Sequence, residues 1–274
     1  MSETSNQSDA QSLARPDGAV AFTTAGTGPL IVCVPGMGDL RASYRFLTPH
    51  LVAAGYRVAA MDLRGHGDSD TTFTEYGDEP TAGDIVALIA QLGGPAIVIG
   101  NSMSAGSAVL AAAKRPELIS GLVLVGPFVR DSGPVIMRTV LRVIMARAWA
   151  AASWKSYLPK LYAGTRPADF SAYRDAVAAA IKRPGYAKAF SLTTRTRHVA
   201  AESALPMVAA PSLIVMGELD PDFSDPSAEA RWIANQLHGE VLMVAEAGHY
   251  PQSQRPELVG PAVAAFAHSV ASHA

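Results

Sequence analysis

The sequence predicts an α/β domain: a doubly wound, mostly parallel sheet carrying one helical insertion. Three observations predict it. Short apolar runs alternate with helical stretches along most of the chain, and the runs are apolar at every position, as strands covered on both faces are. Glycine-containing turns follow these runs at their C-terminal ends, where doubly wound folds place their ligands. One stretch, residues 131–205, breaks the alternation and reads as helices and loops without a clear strand.

Residues 1–16 are rich in Ser, Gln, Asp and Asn, and are expected to form a disordered lead-in. The first apolar run, Ile31 to Val34, stops at Pro35-Gly36, and the second, Tyr56 to Leu63, stops at Arg64-Gly65-His66-Gly67. Ala96 to Ile99 stops at Gly100, Leu122 to Val125 at Gly126-Pro127, and Leu213 to Met216 at Gly217. Val241 to Val244 leads into Ala247-Gly248. Crossover helices are expected at about Tyr44–Ala54, Thr81–Leu92, Met103–Lys114, Pro226–Leu237 and from Pro256 onward, the last with proline where a first turn accepts it. Residues 17–130 and 206–274 would then form the core, and 131–205 a helical lid.

Composition narrows the class. A chain of 274 residues, 49% hydrophobic, buries enough surface for one large core without staples. With 22 Lys+Arg against 24 Asp+Glu there is no basic excess, and no nucleic-acid partner is expected. The single cysteine, Cys33, excludes an internal disulfide and a Cys-cluster metal site. Met1 to Gln11 has neither a basic nor an apolar signal region. The helical stretch Val135 to Ala152 is interrupted by Arg138, Arg142 and Arg147, which argues against a membrane span. These features predict a soluble, cytoplasmic protein acting on a small molecule. They carry no signal for an oligomeric state.

The chemistry centres on Gly100-Asn101-Ser102-Met103-Ser104, between an apolar strand and an alanine-rich helix. A serine nucleophile on a tight strand-to-helix turn needs small neighbours, and the helix N-terminus behind it favours developing negative charge. A Gly-x-Ser-x-Gly/Ser pattern occurs by chance about 0.3 times in such a composition, so the setting carries the weight. A lone serine in such a turn is ordinarily a turn residue or helix cap. Ser104, followed by Ala105-Gly106, is the alternative nucleophile; Ser102 is preferred because Gly100 then ends the strand.

Further motifs stand in order along the chain: Val34-Pro35-Gly36-Met37-Gly38, Met61-Asp62-Leu63-Arg64-Gly65-His66-Gly67-Asp68-Ser69, Gly217-Glu218-Leu219-Asp220 and Gly248-His249-Tyr250-Pro251. With the serine turn, they resemble the α/β-hydrolase family over most of the chain outside the lid. The resemblance implies the α/β-hydrolase fold, with Ser102 as nucleophile, His249 as base and Asp220 as the acid that orients it. Backbone N–H groups of Met37 and Met103 would form the oxyanion hole. Two positions depart from the family pattern: Pro35-Gly36 replaces His-Gly, and Ser104 stands where glycine is usual. The implied activity is hydrolysis of a carboxylic ester or related acyl compound through an acyl-enzyme. C–C bond hydrolysis of a vinylogous diketone is the alternative suggested by Asn101-Ser102-Met103, and a triad-retaining small-molecule receptor is a third reading. The elbow serine argues against dehalogenase and epoxide-hydrolase chemistry, which need a carboxylate there.

Asp222, Asp225 and Asp131 compete with Asp220 for the acid role. His66 is expected to shape its loop, and His50, His198, His238, His268 and His273 to lie on the surface without acidic neighbours. No metal and no cofactor is expected, since no metal-ligand or nucleotide-binding spacing occurs. The lid holds 8 of the 19 aromatics, and Trp149, Trp154, Tyr157 and Tyr162 are its candidate pocket residues. It also carries 12 Lys+Arg against 4 Asp+Glu. Arg138, Arg142 or Lys155 at the pocket mouth would attract anionic substrates; otherwise these charges are solvated surface.

Overall fold

The computed structural model describes residues 10–131, 140 and 142–272. Eight strands form one sheet: β1 Gln11–Arg15, β2 Gly18–Ala25, β3 Leu30–Val34, β4 Arg57–Met61, β5 Ala96–Asn101, β6 Ile119–Val125, β7 Ser212–Gly217 and β8 Glu240–Val244. Their order across the sheet is β1-β2-β4-β3-β5-β6-β7-β8. The pairs β1/β2 and β2/β4 are antiparallel and the rest parallel. All six expected strands are present, and the mostly parallel sheet is the predicted one.

The continuous apolar runs are explained by burial on two faces. Along β3, Leu30, Val32 and Val34 join the core under α2 (Asp78–Leu92) and α3 (Ser104–Lys114), where Ile85, Leu88 and Val109 pack. Ile31 and Cys33 point the other way, toward Leu47 and Leu51 of α1 (Leu47–Ala53) and the C-terminal helix Pro256–Ser272. Period-two alternation therefore feeds two cores, and every position reads as apolar. Burial pushes the Cys33 thiol upward, so it packs as a small hydrophobe.

The lead-in is corrected. Gln11–Arg15 is not a disordered segment but an edge strand, joined to β2 through Pro16-Asp17 with Leu13 opposite Val20. Its polar composition reflects an edge whose outward residues meet water, while Leu13 is buried and Arg15 Nε reaches the buried Asp84 at 2.8 Å. Residues 1–9 lie outside the described residues.

Between β6 and β7 the described residues form helices α4 (Ala150–Leu161), α5 (Phe170–Ile181), α6 (Tyr186–Thr193) and α7 (Val199–Ala204). The first three share a core of their own, with Trp154, Leu158, Phe170, Val177, Tyr186 and Phe190 packed together and against Tyr250. The helix expected over Val135 to Ala152 lies partly outside the described residues, and turns at 145–149 precede α4. After β7 come α8 (Pro226–Leu237), α9 (Pro251–Gln254) and α10 (Pro256–Ser272). Among the described residues no helix is long and apolar enough to cross a membrane.

Candidate active site

Strand β5 delivers Ser102 onto a sharp turn. Ser102 has φ 58, a left-handed conformation that costs a non-glycine residue about 1–3 kcal/mol. The turn is held by Ser102 N–H donating to Val125 O at 2.8 Å, and by Ser102 O accepting from the N–H groups of Ala105 and Phe128, each at 3.1 Å. Gly100 is required here, since a Cβ would lie 2.4 Å from Ser104 O. Ser102 is partly exposed, whereas Ser104 is fully buried and donates its hydroxyl to Pro35 O at 2.6 Å. That bond ties the turn after β3 to the start of α3. A Cβ on Gly36 would come within 2.8 Å of Ser102 Cβ, so the Pro35-Gly36-Met37 turn passes directly against the serine.

Asp220 and His249 follow β7 and β8. His249 Nδ1 lies 2.7 Å from Asp220 Oδ2, and both residues are buried. The other carboxylate oxygen of Asp220 accepts the Asp222 N–H at 3.1 Å. Burial works against a charged imidazole at His249, but the Asp220 carboxylate outweighs it, helped by Asp222, and pushes His249 up to about 9. Gly126 makes room for this pair, since its Cβ would lie 3.0 Å from His249 Nδ1 and 3.2 Å from Asp220 Oδ2.

The rival acids have other partners. Asp225 caps α8, accepting the Ala228 N–H at 2.8 Å. Asp131 accepts from Arg197 Nε and from His198 N–H. Asp222 comes nearest to competing: its Oδ2 is 3.8 Å from His249 Nδ1, while its Oδ1 accepts the Tyr157 hydroxyl at 2.6 Å. Asp220, Asp222 and His249 place their potential ligand atoms within 4.8 Å of one another, a grouping made by the fold that no sequence spacing displayed. The carboxylate oxygens in this group are taken up largely by hydrogen bonds within it and to Tyr157.

Of the four aromatic candidates, two reach the site. Trp154 and Phe190, with ring centroids 5.3 Å apart, press on Gly38, where a Cβ would meet both. Tyr157 binds Asp222. Tyr162 is a correction: it is fully buried, stacked on Tyr250 at 4.7 Å, and belongs to the insertion's core. Trp149 is another, being 50% exposed, with its indole N–H on Val143 O at the outer surface. Lys155 lies on the outside of α4, paired with Asp175 at 3.0 Å, and Arg142 is exposed; Arg138 lies outside the described residues.

His66 is buried and neutral, lowered to about 4 by burial, with Nδ1 on Arg64 O at 2.9 Å inside its loop. His50, His238 and His268 are exposed, and His273 lies outside the described residues. His198 corrects the surface reading: its Nδ1 is 2.7 Å from the buried Asp78, and no nearby residue in sequence announces that partner.

Several residues escaped the motif reading. Asn101 donates its amide to Val125 O and to His249 O, joining the serine turn to the histidine turn. Phe128, signalled only by the preceding Gly126-Pro127 turn, places its ring 5.9 Å from that of His249. Gln254 Oε1 accepts Gly248 N–H at 2.9 Å, and its Nε2 donates to Ala163 O and Thr165 O. His249 N–H itself donates to Leu161 O at 2.8 Å. The histidine turn is therefore anchored on the end of α4 as well as on the sheet.

Comparison with known proteins places the fold. A model of the alpha/beta hydrolase family matches residues 31–262. The chain is 30% identical over 256 residues, 88% of each sequence, to the 2-(acetamidomethylene)succinate hydrolase of Mesorhizobium japonicum. Among solved structures, an esterase from Thermogutta terrifontis superposes with TM-score 0.84 at 23% identity, covering 96% of this chain and 99% of the other. A bromoperoxidase from Bacillus anthracis superposes with TM-score 0.82 at 18% identity, covering 96% and 100%. Likeness at these identities speaks for the fold, while the family model and the Mesorhizobium relative span most of the chain. The chain belongs to the alpha/beta hydrolase family.

Proposed function

We propose that the chain is a serine hydrolase that cleaves a carboxylic ester or related small acyl substrate through an acyl-enzyme. The observation that carries this reading is the 2.7 Å contact between Asp220 and His249, beside a serine held at φ 58 at the start of a helix. Ser102 Oγ attacks the acyl carbon while His249 Nε2 takes its proton, because a serine hydroxyl is a weak nucleophile without such a base. The leaving alcohol takes that proton as the tetrahedral intermediate collapses. Water, activated by the same imidazole, then releases the acid and restores Ser102. Asp220 keeps the proton on Nδ1 and stabilises the imidazolium formed in each step. The N–H groups of Met37 and Met103 receive the oxyanion. This role fits the Pro35-Gly36-Met37 turn against Ser102 and Met103 as the N-cap of α3.

The helices between β6 and β7 act as the lid, with Trp154 and Tyr157 as pocket wall. The Mesorhizobium relative's name describes hydrolysis of a small carboxylate bearing an acetamido group, which supports a small-molecule acyl-type substrate. The test is turnover of p-nitrophenyl acetate and butyrate by purified protein, with one vinylogous diketone in the same screen. Ser102→Ala should lower ester turnover by at least about 10³, while Ser104→Ala should retain most of it. Loss in Ser104→Ala alone would move the nucleophile. Diketone cleavage without ester turnover would replace the ester reading, and ligand-induced stabilisation with negligible turnover would favour a receptor.

A further inference from the structure

A second carboxylate–histidine pair flanks the site. Asp78 opens α2 and is buried, with Oδ2 2.7 Å from His198 Nδ1 and Oδ1 3.4 Å from Ser107 Oγ. Helix α3 leaves room for it, because a Cβ on Gly106 would lie 2.8 Å from Asp78 Oδ2. An ionised carboxylate only accepts hydrogen bonds, so the proton of this contact sits on His198 Nδ1. Nε2 is then the ring's remaining polar atom. Among the described residues nothing takes it up, and the side chain is 12% exposed rather than sealed.

The neighbours of His198 on the chain and in space differ. Arg197 and Val199, on either side in sequence, are about half exposed on the outer surface. His198 turns inward and lies nearly parallel to Phe128, with centroids 6.0 Å apart and planes at 19°. Phe128 is the same ring that meets His249 at 5.9 Å. Two residues before His198, the Thr196 hydroxyl donates to Met103 Sδ at 3.5 Å. The two imidazoles are thus one aromatic ring apart, and the segment carrying His198 rests on the residue that follows Ser102.

We infer that His198 is a substrate-binding residue of this site and that its Nε2 reads a hydroxyl group on the part of the acyl substrate remote from the reacting carbonyl. The inference rests on the hydrolase reading above. A hydroxyl fits because it both donates and accepts, and so pairs with Nε2 in the neutral ring or in the imidazolium. A carboxylate fits poorly, since Asp78 holds the ring and Asp131 accepts the His198 backbone N–H beside it. An alkyl end would cover Nε2 without a partner, and a site shaped to bond a hydroxyl rejects the analogue lacking it.

The test compares p-nitrophenyl esters of ω-hydroxyhexanoic and heptanoic acid, which differ by hydroxyl against methyl. The wild-type kcat/KM ratio should favour the hydroxy ester by on the order of tenfold. His198→Asn keeps a donor where Nδ1 stands and removes Nε2; it should bring the ratio to about one. His198→Gln places an amide where Nε2 stands and should keep part of the preference. A residue that merely latches the insertion to α2 through Asp78 predicts the reverse order, with Asn tolerated and Gln damaging both esters alike. That order, or a wild-type ratio near one, would overturn the inference. In Ser102→Ala, free ω-hydroxyhexanoate should raise Tm more than heptanoate does, and adding His198→Asn should abolish the difference. This binding readout needs no turnover, so failure of the hydrolase reading leaves the His198 test standing.

Discussion

The side-chain amide of Asn101 donates to the backbone carbonyl of His249 at 3.2 Å, across 148 residues of sequence. The residue before Ser102 thereby fixes the peptide that carries the imidazole, and the same amide holds Val125 O at 3.0 Å. The serine turn, the end of β6 and the histidine turn are joined by one side chain. Because the contact is buried, losing it would leave the His249 carbonyl unpaired, while Val125 O would keep the Ser102 N–H at 2.8 Å.

The acid assignment is open to a direct ranking. Asp220→Asn should cost about 10²–10⁴ in kcat, since the amide cannot hold the imidazole in the same tautomer with a compensating charge. Asp222→Asn should cost far less, because Asp222 stands 3.8 Å from Nδ1 and is bonded to Tyr157. Asp131→Asn should act mainly on stability through Arg197 and the His198 N–H. Steady-state kinetics on the three variants checks the order, and a larger loss in Asp131→Asn than in Asp220→Asn would refute it.

The pH profile follows from His249. Burial disfavours its charged form, yet Asp220 and then Asp222 hold it at about 9, so kcat/KM should rise as pH approaches 9 and the neutral base forms. Stability should move the opposite way. A pKa raised above the unfolded value, about 6.5, stabilises the folded state fully below that value, and the contribution is lost as pH rises through about 9. Asp222→Asn removes one of the raising carboxylates and should move the kinetic limb to lower pH. A limb that stays in place in this variant would show that Asp222 has no hold on the imidazole.

Gln254 should behave as a positioning residue. In Gln254→Glu, a carboxylate oxygen would face the carbonyls of Ala163 and Thr165, which the amide now bonds at 2.8 and 2.7 Å. Unpaired buried groups cost about 1–3 kcal/mol each, so Tm should fall. Because the same side chain holds Gly248 N–H, kcat should also fall by roughly tenfold with KM little changed, as misplacement of a base by a fraction of an ångström does. A lower Tm with unaltered kcat would confine Gln254 to stability.

The sequence by itself determined the six parallel strands, the glycine turns at their ends and the order of the motif residues. These are local matters: apolar runs report burial on both faces, and a serine between small residues reports a tight turn. Only the tertiary structure decided which carboxylate meets His249. Asp220, Asp222 and Asp225 lie within six residues of one another and read alike as letters, yet one meets the His249 ring, one binds Tyr157 and one caps a helix. The same holds for His198, whose partner Asp78 is 120 residues away, and for Trp149 and Trp154, five residues apart with one exposed and one buried. Edge strand β1 was hidden for a related reason, since a strand with one wet face and one partner has the composition of a loop. Side-chain periodicity records how much of a residue is buried, whereas the identity of its partner depends on how distant segments close on one another, and that is set by the packing of the whole sheet and its insertion.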